Sequence, residues 1–197
     1  MKLCVFQGTF NPIHNAHLAM ANYAKTVYDY DTILFIPAYK PPHKEYDDEL
    51  SNHRLKMVKL AVSGENYFGI SNIEFQNERY SYTYLTIVEL YKRYKIEGKI
   101  GFIIGADAFR EIETWYETNK LKDLVHFIVF NREGEIDKDR LSLLEYKGYK
   151  FTMSQMQPMD LSSTEIRERL EKRQSVGSYI PKAVMEYINE NRLYKEE

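Results

Sequence analysis

The chain has 197 residues, enough for one compact domain or one domain with a small extension. Its 27 basic and 29 acidic residues nearly balance, which argues against a polyanion-binding surface, so neither nucleic acid nor a membrane is an expected partner. A single cysteine leaves no internal disulfide framework, no apolar run reaches membrane-spanning length, and the first residues enter a strand pattern directly; a cytoplasmic globular protein is expected.

In chain order, Leu3–Phe6 reads as a buried strand with Cys4 as a core residue. Gly8-Thr9-Phe10-Asn11-Pro12-Ile13-His14-Asn15-Ala16-His17 follows, and the amphipathic run from Ala16 to Val27 reads as a helix. A glycine turn between a strand and a helix N-terminus is where α/β proteins hold phosphates on backbone N–H groups. His14 and His17, three apart, share one face of that helix start and point at one anion. The stretch is not a Walker A loop, because no Gly-Lys-Ser/Thr follows Gly8, and it lacks two glycines of a dinucleotide fingerprint. A catalytic zinc would need a third ligand; the nearest candidate is His43, beside cation-repelling Lys44, so no protein-bound metal is expected.

A second strand, Ile33–Ile36, leads into Pro37-Ala38-Tyr39-Lys40-Pro41-Pro42-His43-Lys44, a proline-stiffened arm that presents Lys44, or more plainly a surface Pro-Pro turn. The acidic run after it makes residues 41–50 the segment expected to move. A helix from Arg54 to Val62 is expected, with Ser51 as N-cap and Gly64 just past its end. After a short strand at Phe68–Ile70, Tyr80–Thr86 opens a helix running from Thr83 to Tyr94, with Ser81 or Thr83 as cap and basic residues at its end. Most of the 17 tyrosines should be half-buried packing residues with wet hydroxyls. Then come the strand Ile100–Ile104, the run Gly105-Ala106-Asp107, the single tryptophan Trp115, a strand at Phe127–Phe130, a helix near Leu141–Tyr146 and a strand at Phe151–Met153. Beyond Met153 the pattern is mostly helical, with Ser163–Lys172 and Pro181–Asn191 clearest.

Continuous apolar strands alternating with helices predict a Rossmann-like, doubly wound α/β fold with a parallel sheet covered on both faces. The expected unit is one domain, 1–197, with a core over 1–154 and a small helical part over 155–197. Ligands bind such sheets at the carboxyl ends of the strands, so Gly8–His17, Pro37–Lys44 and Gly105–Asp107 should meet in one crevice. Ser162 and Glu165 form a capping-box pattern, and the hydroxyls of Ser162, Ser163 and Thr164 with Arg167 could also serve an anion.

Gly8–His17 resembles the Gly-Thr-Phe-x-Pro-x-His-x-Gly-His signature of the nucleotidylyltransferase superfamily, which usually has glycine where this chain has Gln7 and Ala16. Leu161–Arg167 resembles that superfamily's Ile-Ser-Ser-Thr-x-Ile-Arg motif. Pro41-Pro42-His43-Lys44, Ser81-Tyr82-Thr83 and the Gly105–Trp115 segment are similar to stretches of its nicotinate-nucleotide adenylyltransferases. The resemblance implies transfer of an adenylyl group from ATP, with Mg²⁺, to nicotinate mononucleotide. It implies phosphate contacts from Gly8, Thr9, Phe10, His14, His17 and Lys44, and a pyrophosphate site at Ser162, Ser163, Thr164 and Arg167. Gly105 and Asp107 would serve the ATP side, with Asp107 accepting from ribose hydroxyls. Lys40, Thr83, Trp115 and Tyr116 would line the nicotinate-nucleotide pocket, the indole stacking on the pyridine ring. Pantetheine phosphate or nicotinamide mononucleotide as acceptor, and a non-catalytic nucleotide-binding regulatory module, stay open alternatives, as does self-association into a homo-oligomer.

Overall fold

In the computed structural model, residues 1–42, 47–76, 79–131 and 137–195 are described. Six strands form one sheet: β1 (Leu3–Gly8), β2 (Thr32–Pro37), β3 (Phe68–Ile70), β4 (Ile100–Gly105), β5 (Val125–Phe130) and β6 (Phe151–Met153). Every pairing is parallel and the order is β3-β2-β1-β4-β5-β6, so the chain reverses its direction of travel across the sheet between β1 and β4. That reversal opens a crevice beyond the carboxyl ends of β1 and β4.

The helices are α1 (Asn15–Tyr28), α2 (Asp48–Val62), α3 (Thr83–Arg93), α4 (Ala106–Arg110), α5 (Thr118–Leu124), α6 (Lys138–Tyr146), α7 (Ser163–Glu171) and α8 (Lys182–Glu190). α4 and α5 have only 5 and 7 residues, too short for an apolar period to declare itself in the sequence.

Alternation along β1 splits the core in two. Cys4 and Phe6 join a cluster with Ala21 and Ala24 of α1, Met57 and Val58 of α2, Ile166 of α7 and Ile188 of α8. Leu3 and Val5 face the other way, onto Ile87 and Leu90 of α3, Phe109 of α4 and Leu121 of α5. Both faces of the sheet are therefore covered, as the unbroken apolar strands require. Burial also pushes the Cys4 thiol far above its ordinary range, leaving it a packing residue.

Three local expectations are corrected. α2 starts at Asp48, one turn earlier than Ser51 suggests; Asp47 is its N-cap, accepting from the Leu50 N–H at 3.0 Å, while Ser51 is buried inside the helix. α3 is preceded by Tyr82 with no side-chain cap, and the Ser81 hydroxyl instead accepts from the Lys40 N–H at 3.1 Å. Only half of the capping box at α7 forms: Ser162 Oγ accepts from the Glu165 N–H, but the Glu165 carboxylate pairs with Arg169 one turn on. Among the described residues, no helix is long and apolar enough to cross a membrane.

Gly101 marks where the Tyr30 ring crosses β4: a Cβ there would lie 2.4 Å from Tyr30 Cζ and Oη. Gly101→Ala should therefore cost about 1–3 kcal/mol by overpacking, and Tyr30→Leu in the same chain should restore part of it. Thermal denaturation of the two single variants and the double variant checks this.

Candidate active site

The three segments expected to meet do so. A cleft of about 670 Å³ lies over the carboxyl ends of β1 and β4, lined by Gln7, Gly8 and Thr9, by Ala38, Pro41 and Pro42, and by Gly105 and Ala108. Ser81, Tyr82, Thr83, Trp115 and Tyr116 complete its far wall. Its size and its mixed apolar and polar lining suit a nucleotide-sized ligand. A smaller hollow of about 400 Å³, lined by Lys99, His126 and Tyr149, lies at the opposite ends of the strands.

The turn after β1 is tightly built. Phe10 adopts a left-handed conformation (φ 49°) and lays its buried ring on Gly8, where a Cβ would sit 3.2 Å from Phe10 Cζ. His14 precedes α1, and its ring stacks on His17 with centroids 3.6 Å apart. The His14 backbone N–H donates to His17 Nδ1 at 3.2 Å. In a neutral ring, that bond places the proton of His17 on Nε2, which is then a donor.

Arg54 of α2 fixes this turn to the next. It is 3% exposed, and its guanidinium donates to the carbonyls of Thr9 (2.7 Å), Ala38 (2.6 Å) and Tyr39 (3.2 Å) and to Ser51 Oγ (2.7 Å). The Ala38 N–H bonds the Gly8 carbonyl at 2.8 Å. Sequence reading placed Arg54 only as a helix residue; an arginine on an otherwise apolar helix face was the signal it overlooked.

The C-terminal motif closes the other side. Ser163 Oγ donates to the Pro12 carbonyl (2.9 Å), and Arg167 donates to the Asn11 carbonyl (2.8 Å) and to Thr164 Oγ1 (3.3 Å). Tyr194 Oη donates to Asn11 Oδ1, and Asn15 is held by the carbonyls of Ser178 and Tyr179. Burial raises the Tyr194 phenol above its ordinary range against the opposing charges of Arg167 and Arg54. Ser162, Ser163, Thr164 and Arg167 thus lie beside the His14–His17 turn, with Ser163 and Arg167 bonded to its backbone.

On the far wall, Trp115 packs edge-on against Phe102 of β4 (6.1 Å), and Tyr116 stacks on Tyr82 at 4.6 Å. Lys40 extends over the Tyr80 ring, while its backbone exchanges hydrogen bonds with Ser81. Asp107, at the start of α4, is exposed and pairs with Arg110. Beneath this wall Glu74 is 7% exposed and accepts from Gln7 Nε2 and Thr86 Oγ1. Burial pushes its carboxyl above the ordinary range, opposed by hydrogen bonds from Ser81, Thr86, the Tyr39 backbone and Gln7. Neither Glu74 nor Tyr194 carried a sequence signal. His43 and Lys44, with Glu45 and Tyr46, lie outside the described residues; of the rest of the segment 41–50 expected to move, Pro41 and Pro42 line the cleft and Asp48, Glu49 and Leu50 belong to α2.

Among the described residues, no group of three or more His, Cys, Asp or Glu side chains could hold a metal ion. The donors around the turn are histidine, arginine, hydroxyl and N–H groups, a set that binds anions.

Residues 5–169 match the cytidylyltransferase-like family. The chain is 37% identical over 200 residues, 98% of each chain, to a protein of Clostridium botulinum (strain Eklund 17B / Type B) named as a probable nicotinate-nucleotide adenylyltransferase. The chain belongs to the nicotinate-nucleotide adenylyltransferases of the cytidylyltransferase-like family. A Staphylococcus epidermidis protein of the same name is 36% identical over 197 residues, covering 98% of this chain and 97% of its own. The same fold is seen in the Plasmodium falciparum nicotinic acid mononucleotide adenylyltransferase complexed with NaAD, with TM-score 0.79 at 23% identity, covering 98% of this chain and 97% of that one. The strand order of this adenylyltransferase sets its cleft at the sheet reversal between β1 and β4.

Replacing Arg54 by Met keeps the stem and removes the donors, leaving the Thr9 and Ala38 carbonyls buried without their cation. Arg54→Met should cost at least about 2 kcal/mol and lower Tm by roughly 4–8 °C. Unchanged thermal denaturation would show that the guanidinium is not what joins the two turns.

Proposed function

We propose that this chain joins ATP and nicotinate mononucleotide into nicotinate adenine dinucleotide with release of pyrophosphate. One observation carries the reading: a single cleft is lined by Gly8 and Thr9, which open the turn that leads to the stacked His14 and His17, and across from them by Trp115 with Ser81, Tyr82 and Thr83 at the start of α3. A phosphate-binding turn suits the triphosphate, and an indole beside a helix N-terminus suits a flat ring bearing a carboxylate. The names of the relatives, which share about a third of their residues with it across nearly the whole chain, support the same substrates.

The 5′-phosphate of nicotinate mononucleotide is the nucleophile. One of its oxygens bonds the α-phosphorus of ATP as the α–β bridging P–O bond breaks, and the electron pair leaves with pyrophosphate. The nucleophile is already anionic, so the protein needs no strong general base; catalysis is positioning and charge stabilisation. His17, through Nε2–H, and His14 serve the α- and β-phosphates, while the backbone at Gly8, Thr9 and Phe10 holds phosphate oxygens. Thr164 and Arg167, with Ser162 and Ser163, would supply donors to the departing pyrophosphate. Lys44 is assigned charge neutralisation at the transferring phosphate on its sequence context alone. Gly105 leaves the ATP side of the cleft open, and Asp107 serves ribose hydroxyls. Lys40, Thr83, Trp115 and Tyr116 form the nicotinate end. Mg²⁺ would arrive on ATP, held by triphosphate oxygens and water, because the donor set here offers it no carboxylate cage. The C-terminal helices, bonded to the phosphate turn, work with the strand core as one unit. Reliance on ATP and a phosphorylated nucleotide fits a cytoplasmic setting.

Pyrophosphate release with Mg-ATP and, separately, nicotinate mononucleotide, nicotinamide mononucleotide or pantetheine phosphate tests the reading; turnover is expected with the nicotinate nucleotide, and turnover with none would overturn it. His17→Ala should lower kcat about a hundredfold with little change in nicotinate mononucleotide KM. Trp115→Ala should raise that KM and spare the KM for ATP; an equal rise in both would remove the indole from the pyridine pocket.

A further inference from the structure

Gln7, the last residue but one of β1, lies on the face that carries Leu3 and Val5, the face of α3, Trp115 and the nicotinate end of the cleft. A glutamine side chain projecting there has the reach to obstruct a ligand. It is instead turned onto Glu74, a buried carboxylate in the short 3-10 turn Ile73–Gln76 between β3 and α3. Among the described residues, the Gln7 amide oxygen makes no hydrogen bond, so the bond from Nε2 to Glu74 is its one polar tether. Glu74 Oε1 accepts in the same place from Thr86 of α3, one turn past Thr83. One carboxylate oxygen therefore joins the end of β1 to the first turn of α3, the two elements that bound the nicotinate end.

We infer that Glu74 is a positioning residue for the nicotinate-nucleotide pocket, holding the Gln7 side chain against the cleft floor and fixing α3 beside it. The inference rests on the nicotinate-nucleotide reading given above. Without Glu74, the Gln7 amide would be buried with neither end satisfied, and rotation into the open cleft is its route back to water. Gln7 would then compete with the incoming nucleotide for space, a cost paid in acceptor binding and not in ATP binding.

Steady-state kinetics of purified variants test this. Glu74→Ala should raise KM for nicotinate mononucleotide about tenfold while the KM for ATP and kcat stay within about twofold. Glu74→Gln retains the accepting oxygen and should stay near wild type. Gln7→Met, of similar length but with no amide to send into the cleft, should keep a wild-type KM both alone and in the Glu74→Ala background, which ties the rise to the Gln7 amide and not to misfolding of Glu74→Ala. Gln7→Gly in the Glu74→Ala background removes the obstructing side chain and should recover most of the affinity. Wild-type KM in Glu74→Ala would overturn the tether, as would a KM rise in Gln7→Met alone, a double variant no better than Glu74→Ala, or Glu74→Gln as impaired as Glu74→Ala. Wild-type turnover is the control: its absence overturns the reaction and the tether with it, whereas normal wild-type turnover with these outcomes overturns the tether alone.

Discussion

The guanidinium of Arg54 is the interaction on which the rest of the site depends. Parallel strands end with their carbonyls and loops pointing the same way, and two adjacent loops leave backbone acceptors that neither strand can satisfy. Arg54 rises from α2 between them and donates to the Thr9, Ala38 and Tyr39 carbonyls at once. A planar fork with five donors can do this where lysine, with one ammonium centre, could not span three carbonyls. The turn after β1 and the loop after β2 are thereby joined as one body, which the proposed reaction requires of a site that fixes two substrates against each other.

The two halves of the core divide the labour that follows. The cluster containing Phe6, Phe10 and Ile13 packs the histidine turn against α1, α2, α7 and α8. The cluster containing Val5, Ile104 and Ile112 supports Trp115 and the start of α3. β1 belongs to both, one alternate residue at a time, so the strand that ends at Gly8 registers the histidine turn against the Trp115 wall. Gln7 and Gly8 are where this alternation reaches the cleft.

Much of this was legible in the sequence. Ile33–Ile36 and Phe127–Phe130 are continuous apolar runs, and continuous runs identify strands covered on both sides. The glycine turn with His14 and His17 was legible as a turn into a helix, and the structure places both rings together at the start of α1. What stayed hidden was of another kind. Ser51 is a good cap by type, but Asp47 gained the role because the helix begins a turn earlier on Asp48 and Glu49, whose charges suit its N-terminus. Glu74 and Tyr194 act through partners 67 and 183 residues away, at Gln7 and Asn11, and no local pattern encodes such a distance. The short helices α4 and α5 owe their form to the sheet beneath them more than to their own periodicity.

The bonds that Ser163, Arg167 and Tyr194 make to Pro12 and Asn11 span 151, 156 and 183 residues. On the ribosome, the turn that starts at Gly8 emerges more than 150 residues before the segments that brace it. At roughly 5–20 residues per second, the interval is on the order of ten seconds. During that time the nascent chain carries the histidines without the scaffold that orients them. The turn is thus fully braced only in polypeptides synthesised through Tyr194, and shorter products would lack the oriented histidines.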